Sequence, residues 1–309
     1  TSVPGLGSAA RTPARGGTPA RCPHRLRPVG THPDGSGPAS ARTGAPELKL
    51  VPKEHGASFM SVHSLLLGIV AGFAAGGADW AGLGLAVAFG ALFLPITAAI
   101  SVITQPRLAA AARRRTSILG ALSALVGALS LVHGPATELL GLGGTGVVLG
   151  GLYTLARART GGRSIPAQLA AIASISLLAP LAWVLIAGPT DRWLLAAPAA
   201  FLAFGGTVPY VRERVRRRRF AEMTLAERLR GGGVALAWQA AALTSASMLA
   251  LAEVAHPLLP IAFVPGAVKA TFALVRPETK PPIKRIGYLE TAISTGFSIV
   301  AGIALGTAP

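Results

Sequence analysis

The sequence predicts an all-α polytopic membrane protein, a bundle of about nine transmembrane helices. Hydrophobic residues make up 51% of the 309 positions and charged residues only 13%, whereas a soluble domain carries about a quarter charged residues. The mean hydropathy is +0.54. From Val51 onward, apolar stretches of about 18–22 residues recur, and each is long enough as a helix to cross a bilayer core of about 30 Å.

The apolar stretches are separated by short polar breaks, and alternating strand patterns are absent. Because a segment in lipid must satisfy its backbone hydrogen bonds internally, each stretch is predicted to be a helix. Prolines inside the stretches, at Pro180, Pro198, Pro260 and Pro265, suggest kinks. The predicted helices cover residues 58–76, 83–103, 116–133, 138–156, 167–188, 193–211, 233–251, 257–275 and 286–306.

Basic residues gather in alternate connections, and this asymmetry predicts the orientation. The connections after the second, fourth, sixth and eighth helices hold nineteen basic residues, whereas the others hold only Arg192. By the positive-inside rule the end of the bundle with these four connections, the basic end, is cytoplasmic. Lys49 and Lys53 place the N-terminus inside as well, and nine spans then place the C-terminus outside. The formal charge of +17 is thereby explained by orientation and by anionic lipids, and no nucleic-acid partner is predicted.

Residues 1–47 form a separate segment rich in Arg, Pro and Gly, and residues 48–309 form the transmembrane domain. The segment is too polar to bury a core, so it is predicted to be a disordered tail, although an Arg-rich, acid-poor start also fits a transit peptide. Arg outnumbers Lys by 24 to 5 across the chain, which favours a bacterial source. The predicted location is therefore the bacterial cytoplasmic membrane.

Several familiar sites are excluded or weak. Cys22 is the single cysteine, so neither a disulfide scaffold nor a cysteine metal site is expected. Only His63 lies well within a helix, so no pair of axial haem ligands is available, and neither metal nor cofactor is predicted. Gly141–Gly146 matches a dinucleotide-binding spacing, but it lies in an apolar helix without a preceding strand. Its small residues instead predict close packing between helices.

The candidate ligand site consists of charged and tyrosine residues near the basic end. A simpler interpretation exists for most of them: residues 52–56 form an interfacial turn, and the tyrosine–arginine pairs anchor the bundle. Glu290 lies about one turn inside the membrane and needs a partner. The candidates are Arg285, Arg276 or a basic residue across the bundle, and the pair would be either a structural ion pair or part of a ligand site. The site residues are Lys53, Glu54, His55, Arg107, Tyr153, Arg157, Tyr210, Arg212, Arg276 and Glu290.

At residues 52–57, Pro-Lys-Glu-His-Gly-Ala, the sequence resembles the YwiC-like family of bacterial integral membrane proteins. His256-Pro257-Leu258, Arg276-Pro277 and Ile286-Gly287-x-x-Glu290 support the resemblance over about residues 48–309. The chain departs from that family at Ser58, where an aromatic residue is common, and at His63, where a proline is more usual. The resemblance implies an integral membrane protein without an assigned activity.

In topology the chain is also distantly similar to the UbiA-type intramembrane prenyltransferases. In that family, aspartate-rich motifs after helices two and six hold magnesium and a diphosphate. Here those places are occupied by residues 104–107, Thr-Gln-Pro-Arg, and 210–214, Tyr-Val-Arg-Glu-Arg. Aspartate pairs for magnesium are therefore missing. Arginines there could hold an anionic headgroup directly.

Three functions remain open at the level of sequence. The first is a protein that binds or carries an amphipathic anion, such as a lipid or isoprenoid phosphate, in a pocket facing the cytoplasm. The second is a prenyltransferase-type enzyme, although no recognisable catalytic motif is present, and the third is a small-solute transporter. Membrane lipids are the expected partners, together with a lipid-like or anionic small molecule. The sequence predicts neither protein partners nor oligomeric state.

Overall fold

A computed structural model describes residues 55–103, 109–160, 164–217, 224–275 and 282–307. Within these ranges the regular structure is entirely helical, and the helices form nine successive segments, as predicted. The tail at residues 1–47 lies outside the described residues. Six segments are long and apolar enough to cross a membrane, and three shorter apolar helices accompany them.

Seven of the segments are single α-helices and two are interrupted. The single helices are α1 (His55–Ala74), α2 (Trp80–Ile103), α3 (Ala109–His133), α4 (Ala136–Thr160), α9 (Leu225–Leu251), α10 (Leu258–Val275) and α11 (Ile283–Gly306). The fifth segment divides into α5 (Ile165–Ser176) and α6 (Leu178–Ala187). The sixth begins with a short 3-10 helix and continues as α7 (Ala196–Gly205) and α8 (Thr207–Arg217).

Prolines explain both interruptions. Pro180 and Pro209 have no N–H to donate to the carbonyls of Ser176 and Gly205 four residues earlier, and α5 and α7 end at those two residues. Pro209 was not among the predicted kink positions. Pro198 and Pro260 each stand third in their helices, α7 and α10. In this first turn a missing N–H sacrifices no intrahelical hydrogen bond.

The centre of the bundle is α1, which packs most extensively against α11 and α6. Glycine allows the close approach: a Cβ on Gly68 would overlap the carbonyl oxygen of Ala179. On the other side, Ser298 of α11 donates a hydrogen bond to the carbonyl oxygen of His63, 2.9 Å away. The first and the last helical segments therefore share one buried interface.

Helix α4 lies at the periphery, where it packs mainly against α5. The close packing predicted for its glycines is wrong within this chain. A Cβ on Gly141, Gly143 or Gly144 would meet nothing within 4 Å, and only Gly146 has a neighbour, the Cδ1 atom of Leu177 at 3.7 Å. This face of α4 is open because α5 covers a different side of the helix.

Candidate functional site

A buried ion pair joins α10 to α11. The Nζ atom of Lys269 lies 2.7 Å from Oε1 and 2.8 Å from Oε2 of Glu290, so the ammonium donates to both carboxylate oxygens. The two side chains are only 5% and 12% exposed. Both residues lie within segments apolar enough to cross a membrane. Glu290 therefore has the partner that its position predicted, and the partner is on the neighbouring helix.

Tyr210 of α8 completes the surroundings of the ammonium group. Its ring centroid lies 4.5 Å from the Nζ atom of Lys269, within the range of a cation–π interaction. Tyr210 is buried, and it follows Pro209, the residue that interrupts the helix between α7 and α8. The break thus lies one residue before the aromatic ring that contacts Lys269.

The ion pair borders a small cavity of about 20 Å³. That volume holds about one water molecule. Most of the wall is apolar, but Gln239, Thr207 and Ser294 add an amide and two hydroxyl groups beside Lys269 and Glu290. The site therefore combines one fixed cation, one carboxylate and several hydrogen-bonding groups inside the bundle.

Glycines give the buried amide of Gln239 its place. A Cβ on Gly266 would lie 2.7 Å from Oε1 of Gln239, and one on Gly206 would lie 2.5 Å from Nε2. Gln239 thus extends from α9 between α10 and the α7–α8 break. The space exists only because both positions lack a side chain.

A second charged cluster, which we call the arginine clamp, lies near the end of α8 and consists of Glu213, Arg216 and Arg217. Glu213 is buried and accepts hydrogen bonds from Nε of Arg216 at 2.8 Å and from Nε of Arg217 at 2.9 Å. Arg216 also donates to the carbonyl of Glu227 on α9, and Arg217 donates to that of Ala273 on α10. The clamp therefore ties α8 to both helices.

The sequence-predicted site residues do not all come together. Tyr210 and Glu290 meet at Lys269, whereas Tyr153 and Arg157 interact with each other on α4, where Nη1 of Arg157 donates to the Tyr153 hydroxyl at 2.6 Å. Arg212 is exposed on α8, two residues from Tyr210. The described part of the structure does not include Lys53, Glu54, Arg107, Arg276 or the side chain of His55.

Sequence reasoning missed Lys269 and Gln239. The signal was present, since Lys269 is the one charged residue within the apolar stretch Leu258–Val275 and an intramembrane lysine is costly without a partner. The charge asymmetry between the connections carries no information about a lysine inside a helix. Gln239 gave a weaker signal because uncharged polar residues are less costly in a helix interior.

Two of the histidines that the structure describes, His63 and His133, make structural contacts. On the ring of His63, Nδ1 is hydrogen-bonded to the carbonyl of Phe59 at 2.7 Å, and Nε2 lies 2.9 Å from the Thr295 hydroxyl. His133 pairs with Asp79 across 2.6 Å at the end of the bundle away from the basic connections. Within the ranges that the structure describes, no group of three His, Cys, Asp or Glu residues could hold a metal ion.

Asp79 also begins α2, because its Oδ1 atom accepts hydrogen bonds from the backbone N–H groups of Ala81 and Gly82, each at 2.9 Å. The bond from Gly82 contributes most to lowering the pKa of the Asp79 carboxyl below its ordinary value of 3.8, and His133 lowers it further. These interactions favour the ionised carboxylate, which therefore holds the connection between α1 and α2 against the end of α3.

A family model described as YwiC-like protein matches residues 51–183. The match confirms the resemblance over that part of the chain. It spans α1 to the middle of α6, so the site around Lys269 and Glu290 lies beyond the matched residues. No curated protein and no solved structure matches the chain.

Proposed function

We propose, with the YwiC-like match over residues 51–183 as the premise, that this multi-pass membrane protein is a carrier for a ligand with an anionic group. Its binding site would be Lys269 with the polar groups of the adjoining cavity, and its location the bacterial cytoplasmic membrane. The observation that carries the proposal is the buried Lys269–Glu290 pair on the wall of a polar cavity, inside two membrane-spanning segments.

The cost of the ion pair supports a functional role. Transferring a lysine and a glutamate out of water costs several kcal/mol per ion, and the attraction between them only about repays that cost. Apolar residues of similar volume would hold α10 and α11 together at least as well. Charges within membrane-spanning helices therefore tend to mark substrate or ion pathways.

The groups around the cavity favour an anion as the ligand. Lys269 supplies a positive charge, and Gln239 and Ser294 supply N–H and O–H donors that suit a carboxylate or phosphate group. The interruption between α7 and α8 borders the same cavity, because Phe204 before the break and Thr207 after it both line the wall. Discontinuous helices of this kind commonly form the binding sites of secondary transporters.

The anionic group could belong to a free solute or to the head of an amphipathic lipid. The cavity holds about one water molecule, so either ligand requires the bundle to open. Among the functions left open by the sequence, the geometry favours binding and carriage of an anion over prenyl transfer, because Lys269 and Glu290 lie inside segments apolar enough to cross a membrane.

The test uses the purified full chain in mild detergent and measures the thermal unfolding midpoint with sodium acetate, inorganic phosphate or farnesyl phosphate. A ligand at about 100 times its Kd stabilises the folded state by about 2.7 kcal/mol. We expect at least one probe to raise the midpoint of the wild type and of Lys284→Met, an exposed lysine in the first turn of α11. The shift should be absent in Lys269→Met.

The probes also distinguish the source of the anion. A shift with acetate or phosphate indicates a free solute, and a shift with farnesyl phosphate but not with farnesol indicates a lipid headgroup. Counterflow of the bound probe in proteoliposomes then separates transport from simple binding. If no probe gives a shift that depends on Lys269, the proposal is wrong. The double variant Lys269→Met/Glu290→Met replaces Lys269→Met if the single variant does not fold.

A further inference from the structure

We infer that Glu290 takes up one proton when an anion binds to Lys269, so that the site carries an anion and a proton together. The inference rests on the proposed function and adds a co-substrate to the same site. It follows from the geometry of the ion pair, from the balance of charge in a buried site, and from the small number of ionisable groups around Glu290.

The ammonium group of Lys269 is already occupied. It has three N–H donors, and Oε1 and Oε2 of Glu290 lie 2.7 and 2.8 Å from Nζ. The ring of Tyr210 lies close to the same nitrogen, with its centroid 4.5 Å away. An incoming anion can therefore form a close contact with Lys269 only by replacing the Glu290 carboxylate.

Charge balance then decides the protonation state of Glu290. Before binding, the positive Lys269 and the negative Glu290 sum to zero. After binding, the anion takes the place of the carboxylate, and an ionised Glu290 would remain as a buried, unpaired charge that costs several kcal/mol. When a proton from water forms an O–H bond on the Glu290 carboxylate, the sum returns to zero. No electrons are transferred, and one proton enters the site with each monovalent anion.

The described neighbours of Glu290 offer no other acid for this role. Helix α11 packs against α1, α7 and α10. From α10 it faces Lys269, and α7 contains no ionisable residue. On α1, His63 contacts Thr295, five residues further along α11. The ring of Tyr210 on α8 lies against the ammonium group of the same lysine. Among the side chains that line the cavity, Glu290 is the one carboxylate. On α11 itself, the ionisable residues between Glu290 and the basic end are Lys284, Arg285 and Tyr288.

The experiment measures the Kd of the probe that shows Lys269-dependent binding, from about pH 6 to about pH 8. One linked proton changes the affinity about tenfold per pH unit. We therefore expect the increase in Kd per pH unit to be about tenfold greater in the wild type than in Glu290→Gln. Gln resembles the protonated acid, so Glu290→Gln should also bind more tightly than the wild type at the higher pH. Glu253→Gln, at an exposed glutamate, should behave as the wild type does.

Because the comparison is between slopes, any titration of the probe itself cancels. Calorimetry of the wild type in two buffers of different ionisation enthalpy counts the protons directly, which keeps the test decisive if Glu290→Gln does not fold. Equal slopes in the wild type and Glu290→Gln, or a count of zero with a fully ionised probe, overturn the proton inference alone. If binding does not depend on Lys269, the proposed function and this inference are both wrong.

Discussion

Removal of one member of the Lys269–Glu290 pair should destabilise the protein far more than removal of both. We expect Lys269→Met and Glu290→Met each to lower the free energy of unfolding by about 3–5 kcal/mol, since each leaves one uncompensated buried charge. The double variant should lie within about 1 kcal/mol of the wild type or above it, because two methionines replace the charged pair with apolar groups.

The magnitude follows from the geometry of the pair. Two unit charges about 3 Å apart attract by about 5.5 kcal/mol at an effective dielectric constant of about 20. The Nζ–Oε distances of 2.7 and 2.8 Å and the low exposure of both side chains justify that dielectric constant in place of the value for water. The desolvation of both ions is of similar size and opposite sign, so the net contribution of the intact pair is small.

A double-mutant cycle in mixed micelles measures this, with unfolding by added SDS monitored as the loss of helical circular dichroism. The cycle isolates the coupling between the two residues, and Lys284→Met gives the effect of removing an exposed lysine. If the two single variants add to the effect of the double variant, Lys269 and Glu290 are not coupled in the membrane protein. A buried, mutually dependent ion pair would then be contradicted.

Two further predictions concern the packing of α1 and the connection before α2. Gly68→Ala should destabilise the fold strongly, because its Cβ would overlap the carbonyl oxygen of Ala179, whereas Gly84→Ala has open space and should leave the unfolding midpoint unchanged or raise it. The carboxylate of Asp79 has a lowered pKa in the folded state. Its contribution to the free energy of unfolding is therefore complete above about pH 4 and is lost as the pH falls through that lowered pKa. Asp79→Asn should abolish this part of the acid sensitivity, which is measured as the difference between the unfolding midpoints at about pH 6 and about pH 3. If the variant shows the same difference as the wild type, the role given to Asp79 and His133 is contradicted.

The helices could be predicted because hydropathy along the chain reports on them directly. Length and apolar content located nine helical segments, and the predicted partner of Glu290 exists. The site was harder to predict because it depends on which faces of α8, α10 and α11 meet. Tyr210 and Lys269 are 59 positions apart in the sequence, and no periodicity relates them. The glycines of α4 show the opposite error, since small residues permit close packing but do not supply the neighbour.

The interface between α1 and α11 also sets an order of assembly. His63 and Ser298, which it joins, are 235 residues apart, so at about 5–20 residues per second the first helix waits roughly 10–50 s for its final neighbour. Lys269 precedes Glu290 by 21 residues and is synthesised roughly 1–4 s before its counter-ion. A chain that stopped before α11 would retain an unneutralised lysine in the membrane and a bare face on α1.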